Sequence, residues 1–408
     1  MRIWKYPFLG KDHSHHLLHG LTFPGPLLGI AYKPDKTTLV TAVGLTREDP
    51  ESRSHSGVVA TWNMNLDDDD KVLTEFDPDA KRPTEPLVGF GVSPDGRFLV
   101  SSTRNRDLVF VPLNNNDIHG SERQILPVHV TLNTKIQVRC INKDGNIDNM
   151  NNTGCFNNEY LVMGVADRND IGDAAASPGS GLCMWRIHDT GPPEKPNFQF
   201  EPGTNPCLTP PDPAAPQNSS TGNLHNVGMF DISHDGKKII MSVDSPTSTC
   251  VVLQKTHDLL NALHGDKSSF GCTSKSSGFN SQFAALSFSP DGGNIAATDI
   301  GSRMYFWPVK YTSKMPDESD DTLGSVTMFA RGQVIAFPPP DVDADRDLVA
   351  VGLQDATIML WNSKYRRIIM KIHQHHGGIL GLAFSPDGNV LVSTGNDGVV
   401  KVMGDVNR

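Results

Sequence analysis

The segment from His375 to Met403, HHGGILGLAFSPDGNVLVSTGNDGVVKVM, constrains the fold more than any other stretch, because it is one unit of an internal repeat. Gly378 to Phe384 is short and apolar. It is closed by Ser385-Pro386-Asp387-Gly388, in which Pro fixes one turn dihedral and Gly accepts a positive φ. The next run, Asn389 to Gly395, ends at Asn396-Asp397-Gly398. Gly after Asp or Asn is the strongest short hairpin signal, since primed turns require positive φ. Val399 to Met403 then completes a meander of three strands.

The unit recurs upstream. Leu87 to Val111 repeats it with no gap after the first turn, and Phe283 to Trp307 needs one extra residue near Gly293. More divergent copies run from Leu27 to Met64, from Val227 to Leu253, and from Leu348 to Trp361 preceded by QVIAF; the weakest lies between Ile136 and Ile187. These make seven copies. A small all-strand unit cannot bury both faces of its sheet alone, so such units stack radially and close on themselves. The fold class expected is all-β, a closed β-propeller of seven four-stranded blades with long loop insertions, forming a single domain over residues 1–408.

On these residues the chain resembles the WD40-repeat family; no subfamily is identified. The resemblance covers nearly the whole length and is strongest in the last copy. In that family a His before the first strand, a Ser on the second, an Asp in the next turn and a Trp on the third form a hydrogen-bonded tetrad. The matching positions in the last copy are His375, Ser393 and Asp397, with Met403 in place of Trp. In the copy before it Asp355 and Trp361 match, with Val351 in place of Ser; in the copy at Leu87 the Asp and Trp positions hold Asn105 and Val111. Such erosion implies blades held mainly by apolar packing.

A ring of seven repeats of roughly 40 to 45 residues uses about 300 residues. The excess falls in insertions rich in Pro, Gly, Ser, Asn and Asp: 45–56, 142–158, 168–180, the Pro-rich 190–223, 255–280, 310–324 and 338–346. Their composition reads as loop, with no further packed domain. The last blade, about 375–408, supplies three strands, and RIWKYPFL at about 2–9 is the expected fourth, which closes the ring and leaves no strand edge unpaired. The competing reading takes Met1 to Trp4 as a third strand and His15 to Phe23 as the fourth, so that the chain begins partway through an additional blade.

A net charge of −10 and the absence of a basic stripe weigh against nucleic acid. The acidic runs at Asp67 to Asp70, Asp317 to Asp321 and Asp341 to Asp347 read as solvated loop charge. The last lacks the Gly and Glu of a calcium loop, having Arg346 and Gly352 there. No apolar run spans a bilayer and no segment resembles a secretion signal, so a cytoplasmic or nuclear location is expected. The six cysteines are scattered without a CxxC pair, and Cys140, Cys183 and Cys250 sit in apolar strands, where a reduced thiol is a small core group. Asn151 and Asn218 head glycosylation patterns short enough to arise by chance. His13, His15, His16 and His19 would meet His373, His375 and His376 if the N-terminus closed the last blade, and neutral imidazoles bind zinc. His375 is claimed by the tetrad, however, and loop histidines are commonly solvated. No metal and no cofactor is expected.

No GxSxG elbow, HExxH helix or phosphate-cradling glycine loop occurs, and Asp95, Asp291 and Asp387 recur at one structural place as turn formers. What the resemblance implies is a scaffold without catalysis that binds protein partners on the propeller rim. Transferring the family's rim positions gives Glu85, His225 and Gln282 at strand starts, and Arg104, Gln354 and Asn396 before the turns. Arg104 is the foremost of these because Arg is enriched at binding hot spots. The acidic chain makes basic peptide segments plausible ligands, and a small-molecule substrate is not expected. The alternative is a propeller enzyme or metal protein using channel or loop His and Asp, which a bound metal in stoichiometric amount or a polar, roomy channel with convergent carboxylates would favour.

Overall fold

The computed structural model describes residues 21–22, 26–34, 38–43, 59–63, 87–103, 106–113, 124–128, 136–142, 147–148, 155, 158–167, 180–192, 196–201, 207–208, 226–244, 249–263, 279, 281–309, 324–339 and 348–404. Their strands form seven antiparallel sheets. The first holds Leu27–Tyr32, Thr38–Val43 and Val59–Asn63. The second holds Leu87–Val92, Phe98–Thr103, Asp107–Pro112 and Gln124–Pro127. In the third, Gln137–Ile141, Glu159–Asp167, Ser180–Asp189 and Phe198–Phe200 lie side by side, with Ile147–Asp148 and Cys207–Leu208 added. The fourth holds Asn226–Ile232, Lys238–Asp244 and Thr249–Lys255. Phe283–Phe288, Asn294–Asp299, Arg303–Pro308 and Gly324–Thr327 make the fifth. Gly332–Ala336, Leu348–Leu353, Thr357–Asn362 and Arg367–His373 make the sixth. The seventh holds Ile379–Phe384, Val390–Gly395 and Val399–Gly404, with Leu21–Thr22 against its outer edge. Each sheet packs on the next in chain order, and Leu27–Tyr32 of the first packs on Ile379–Phe384 of the seventh.

The outer strand of the seventh sheet pairs Leu21 with Val400 and Thr22 with Val399. The segment expected there, 2–9, lies outside the described residues; the strand found falls within the competing stretch His15 to Phe23.

Turns of one design link the first two strands in four sheets. In Ser93-Pro94-Asp95-Gly96, Ser233-His234-Asp235-Gly236, Ser289-Pro290-Asp291-Gly292 and Ser385-Pro386-Asp387-Gly388 the glycines have φ of 68, 68, 63 and 69°. Only glycine adopts that region freely. Each glycine amide donates to the serine carbonyl, at 2.8 to 2.9 Å. Each Asp carboxylate accepts the amide two residues on, from Arg97, Lys237, Gly293 and Asn389 at 3.2, 3.1, 2.9 and 3.1 Å.

The core is a series of apolar layers, each shared by two neighbouring sheets. Along Leu348–Leu353, for example, Val349, Val351 and Leu353 face the fifth sheet with Trp361, while Leu348 and Ala350 face Leu382, Phe384 and Met403 of the seventh. Alternate residues of one strand thus enter different layers, so both faces are apolar and the strand reads as a continuous hydrophobic run.

Three departures from expectation stand out, two in the insertions and one at the cysteines. Segment 255–280 opens with an eight-residue helix, Thr256–Leu263, whose Leu260 packs on the layer between the third and fourth sheets. The Pro-rich 190–223 supplies Phe198–Phe200, and Phe198 is buried, its ring centroid 4.6 Å from those of both Phe98 and Phe110. The side chain of Gln124 binds that strand through both main-chain groups of Phe198, each at 2.6 Å. Third, Cys140 and Cys183 are not reduced core thiols: Cys140 is bonded to Cys155, and Cys183 is also in a disulfide. No described helix is long and apolar enough to cross a membrane.

Candidate functional site

Three of the six expected rim residues lie among the described residues: Gln282, Gln354 and Asn396 are all exposed, while Glu85, Arg104 and His225 fall outside them. One backbone bond repeats at this edge. The residue before the hairpin turn donates its amide to the residue entering the innermost strand: Ile300 to Gln282, Gln354 to Arg331 and Asn396 to Gly378, each at 2.9 Å. Gln282, Gln354 and Asn396 therefore stand at the same end of the fifth, sixth and seventh sheets. Gly378 packs so closely on Gln354 and Gln333 that a Cβ there would meet both, which joins the sixth and seventh sheets at the rim.

Two large apolar side chains stand exposed at the same end. Ile300, equivalent to Gln354 and Asn396, is 46% exposed, and Phe329, two residues before Arg331, is 68% exposed. The Lys371 ammonium lies over the Phe329 ring, 3.1 Å from its centroid. Arg331 is exposed beside it. An apolar pair edged by two cations and three amides is what this end offers. Neither Ile300 nor Phe329 was singled out from the sequence. Ile300 is findable by aligning the residue before each turn, whereas Phe329 carries no local signal.

Behind this edge in the seventh sheet, His375 bridges two groups. Its Nδ1 lies 3.0 and 3.1 Å from the two Asp397 carboxylate oxygens, and its Nε2 lies 2.8 Å from Ser393 Oγ. Asp397 also accepts the amides of His376 at 2.8 Å and Val399 at 3.2 Å. Burial alone pushes the Asp397 carboxyl up; the bonds from His375 and from those amides outweigh it and hold the group at about 2. Since that is below the ordinary 3.8, the stability this site contributes is complete above about pH 4 and is lost as pH falls toward 2. Unfolding measured from about pH 5 down to pH 2 is expected to show a steeper loss of stability for the wild type than for Asp397→Asn.

In the sixth sheet the same parts do not assemble. Asp355 is exposed and accepts the amide of Thr357 at 3.1 Å, while Trp361 is buried with Nε1 meeting no acceptor among the described residues. His373 Nδ1 lies 2.9 Å from Thr357 Oγ1 instead. Met403, at the Trp position of the seventh sheet, is fully buried in the apolar layer.

Polar groups also meet on the innermost strands. Asp231 accepts from Gln137 Nε2 at 2.6 Å, Ser287 Oγ at 3.0 Å and the Phe288 amide at 2.8 Å, tying the third, fourth and fifth sheets together. Arg139 shares this region; burial lowers its guanidinium and the Asp231 charge opposes that. A carboxylate held by three donors from two neighbouring sheets serves as a latch between them. Among the described residues no three His, Cys, Asp or Glu side chains are grouped to hold a metal.

Residues 366–402 match the WD domain, G-beta repeat family. Topless-related protein 1 of Arabidopsis thaliana is 40% identical over 63 residues, covering 15% of this chain and 5% of that protein. The nuclear distribution protein nudF of Emericella nidulans is 35% identical over 63 residues, covering 15% of this chain and 14% of that protein. The matched part is thus a small fraction of these relatives' length. The β-propeller domain of Cps50 (Swd1) from Myceliophteria thermophila superposes with a TM-score of 0.58 over 95% of this chain and 99% of that domain, at 9% identity, a likeness of fold alone.

Proposed function

For this β-propeller carrying a WD40 repeat at residues 366–402, we propose a protein-interaction scaffold that binds partner segments on the rim of the fifth to seventh sheets, with no catalysis of its own. We read the seven sheets, with the seventh packed on the first, as seven blades of a closed ring. Rigid sheets hold several loops around one face, so a partner is gripped at many points with little ordering cost.

The observation that carries this reading is the exposure of Ile300 and Phe329 on the same end as Gln282, Gln354 and Asn396. Exposed apolar groups ringed by polar ones mark interaction sites. Overall charge favours basic ligands, but the cations Arg331 and Lys371 stand at the exposed Phe329, although Asp355 is also exposed at this end. We therefore propose a partner segment with an apolar anchor and acidic flanks.

Affinity capture with the wild type, compared with Ile300→Asp/Phe329→Ser shown by circular dichroism to be folded, tests this. Loss of a stoichiometric partner from the variant is expected, along with weaker capture at raised salt. Equal capture by both chains would move the binding face elsewhere and refute the assignment.

A further inference from the structure

We propose that the third sheet is stapled by two disulfides, Cys140–Cys155 and Cys183–Cys207, and that this chain acquires its structure in an oxidising compartment. Cys140, on Gln137–Ile141, is bonded to Cys155, with Cα atoms 5.0 Å apart. Cys183, on Ser180–Asp189, is disulfide-bonded as well. The residue opposite it in the antiparallel register is Cys207, with Leu182 opposite Leu208. Directly opposed residues of an antiparallel pair have Cα atoms about 4.5 to 5.5 Å apart, inside the span a disulfide bridges. Cys250 is the wrong way round: Cys183 packs with Cys140, Cys155, Phe98 and Trp185 in the layer facing the second sheet, whereas Cys250 is on Thr249–Lys255 of the fourth.

The placement has a physical logic. This sheet is built from the weakest repeat copy and is interrupted by the insertions at 142–158, 168–180 and 190–223. Closing long loops costs entropy, and a covalent link removes part of that cost from the unfolded chain. The two bonds join segments that insertions separate: the innermost strand to residue 155, and Ser180–Asp189 to a two-residue strand inside the Pro-rich segment. Cys140, Cys155 and Cys183 are all buried. Cytosolic reductants keep such pairs open during folding, so two structural disulfides in one sheet point to an oxidising site of maturation. The sequence expectation that Cys140 and Cys183 are reduced core thiols no longer holds.

The test is non-reducing digestion and mass spectrometry of the chain isolated from its source cells, with thiols alkylated at lysis. Two linked peptides are expected, one joining Cys140 to Cys155 and one joining Cys183 to Cys207. Alkylation of all six cysteines would overturn the proposal, and a link from Cys183 to Cys272 would overturn the pairing. As an independent readout, dithiothreitol is expected to lower the melting temperature of the oxidised chain by at least about 3 °C. A Cys183→Ser/Cys207→Ser variant should lose part of that response. Melting curves that coincide with and without reductant would also overturn it.

Discussion

Replacing Trp361 by alanine is expected to cost about 3 to 5 kcal/mol of folding stability, while Trp361→Phe should cost no more than about 1 to 2. Trp361 is 1% exposed in the layer between the fifth and sixth sheets, against Val349, Val351 and Met304, with Phe306 at 5.4 Å. Alanine leaves a cavity that strand backbones cannot collapse to fill. The phenylalanine result separates two roles for the indole. A Trp that donates to a tetrad serine leaves a buried acceptor unpaired when truncated to Phe, a penalty of about 1 to 3 kcal/mol beyond packing. Here Nε1 meets no acceptor among the described residues and the serine position is Val351, so Phe removes that donor and keeps most of the apolar contact. Denaturant unfolding of the three chains decides it, and equal losses for Ala and Phe would contradict a packing role.

Asp189→Ala is expected to cost about 2 to 4 kcal/mol, reduced from the range for fully buried pairs because Arg97 is a quarter exposed. The Asp189 side chain is 1% exposed and accepts from Arg97 Nη2 at 2.8 Å, the Gly191 amide at 3.0 Å and the Asn197 amide at 2.8 Å. Alanine orphans two amides and leaves the guanidinium with Asn158 at 3.0 Å and the Tyr160 hydroxyl at 3.4 Å. Tyr160 in turn donates to Asp95 at 2.6 Å; burial, reinforced by that carboxylate, keeps its hydroxyl protonated far above the ordinary range. The network spans the second and third sheets, so its loss should loosen their mutual packing as well as the local turn. A double-mutant cycle with Arg97→Met is expected to return a coupling of about 1 kcal/mol or more, and additivity of the two losses would show that the pair is not linked.

Much of the local structure was legible because its causes are local. Ser-x-Asp-Gly dictates its turn by one positive-φ glycine and one carboxylate that captures an amide two residues on, wherever it stands in the chain. Apolar runs between such turns become strands, so each repeat copy falls within one sheet. His375, Ser393 and Asp397 of the seventh sheet were named through the family resemblance and not through a local pattern, and His375 lies within hydrogen-bond distance of the other two.

What escaped the sequence has causes that cross between sheets. The Pro-rich segment read as loop because a residue that anchors it, Phe198, takes its stability from Phe98 and Phe110 of another sheet. Asp355 and Trp361 matched a motif by spacing, yet the serine that would join them is a valine and the indole turned to packing. Ile300 and Phe329, over twenty positions apart, come to the same end of the molecule only because the fifth and sixth sheets lie side by side. The sequence by itself therefore determined the strands, the turns and the repeat, which short-range dihedral preference and apolar periodicity control. Tertiary structure alone decided which strand covers the seventh sheet, which cysteines are oxidised and which side chains face outward together, because those depend on the relative placement of sheets that no local residue pattern encodes.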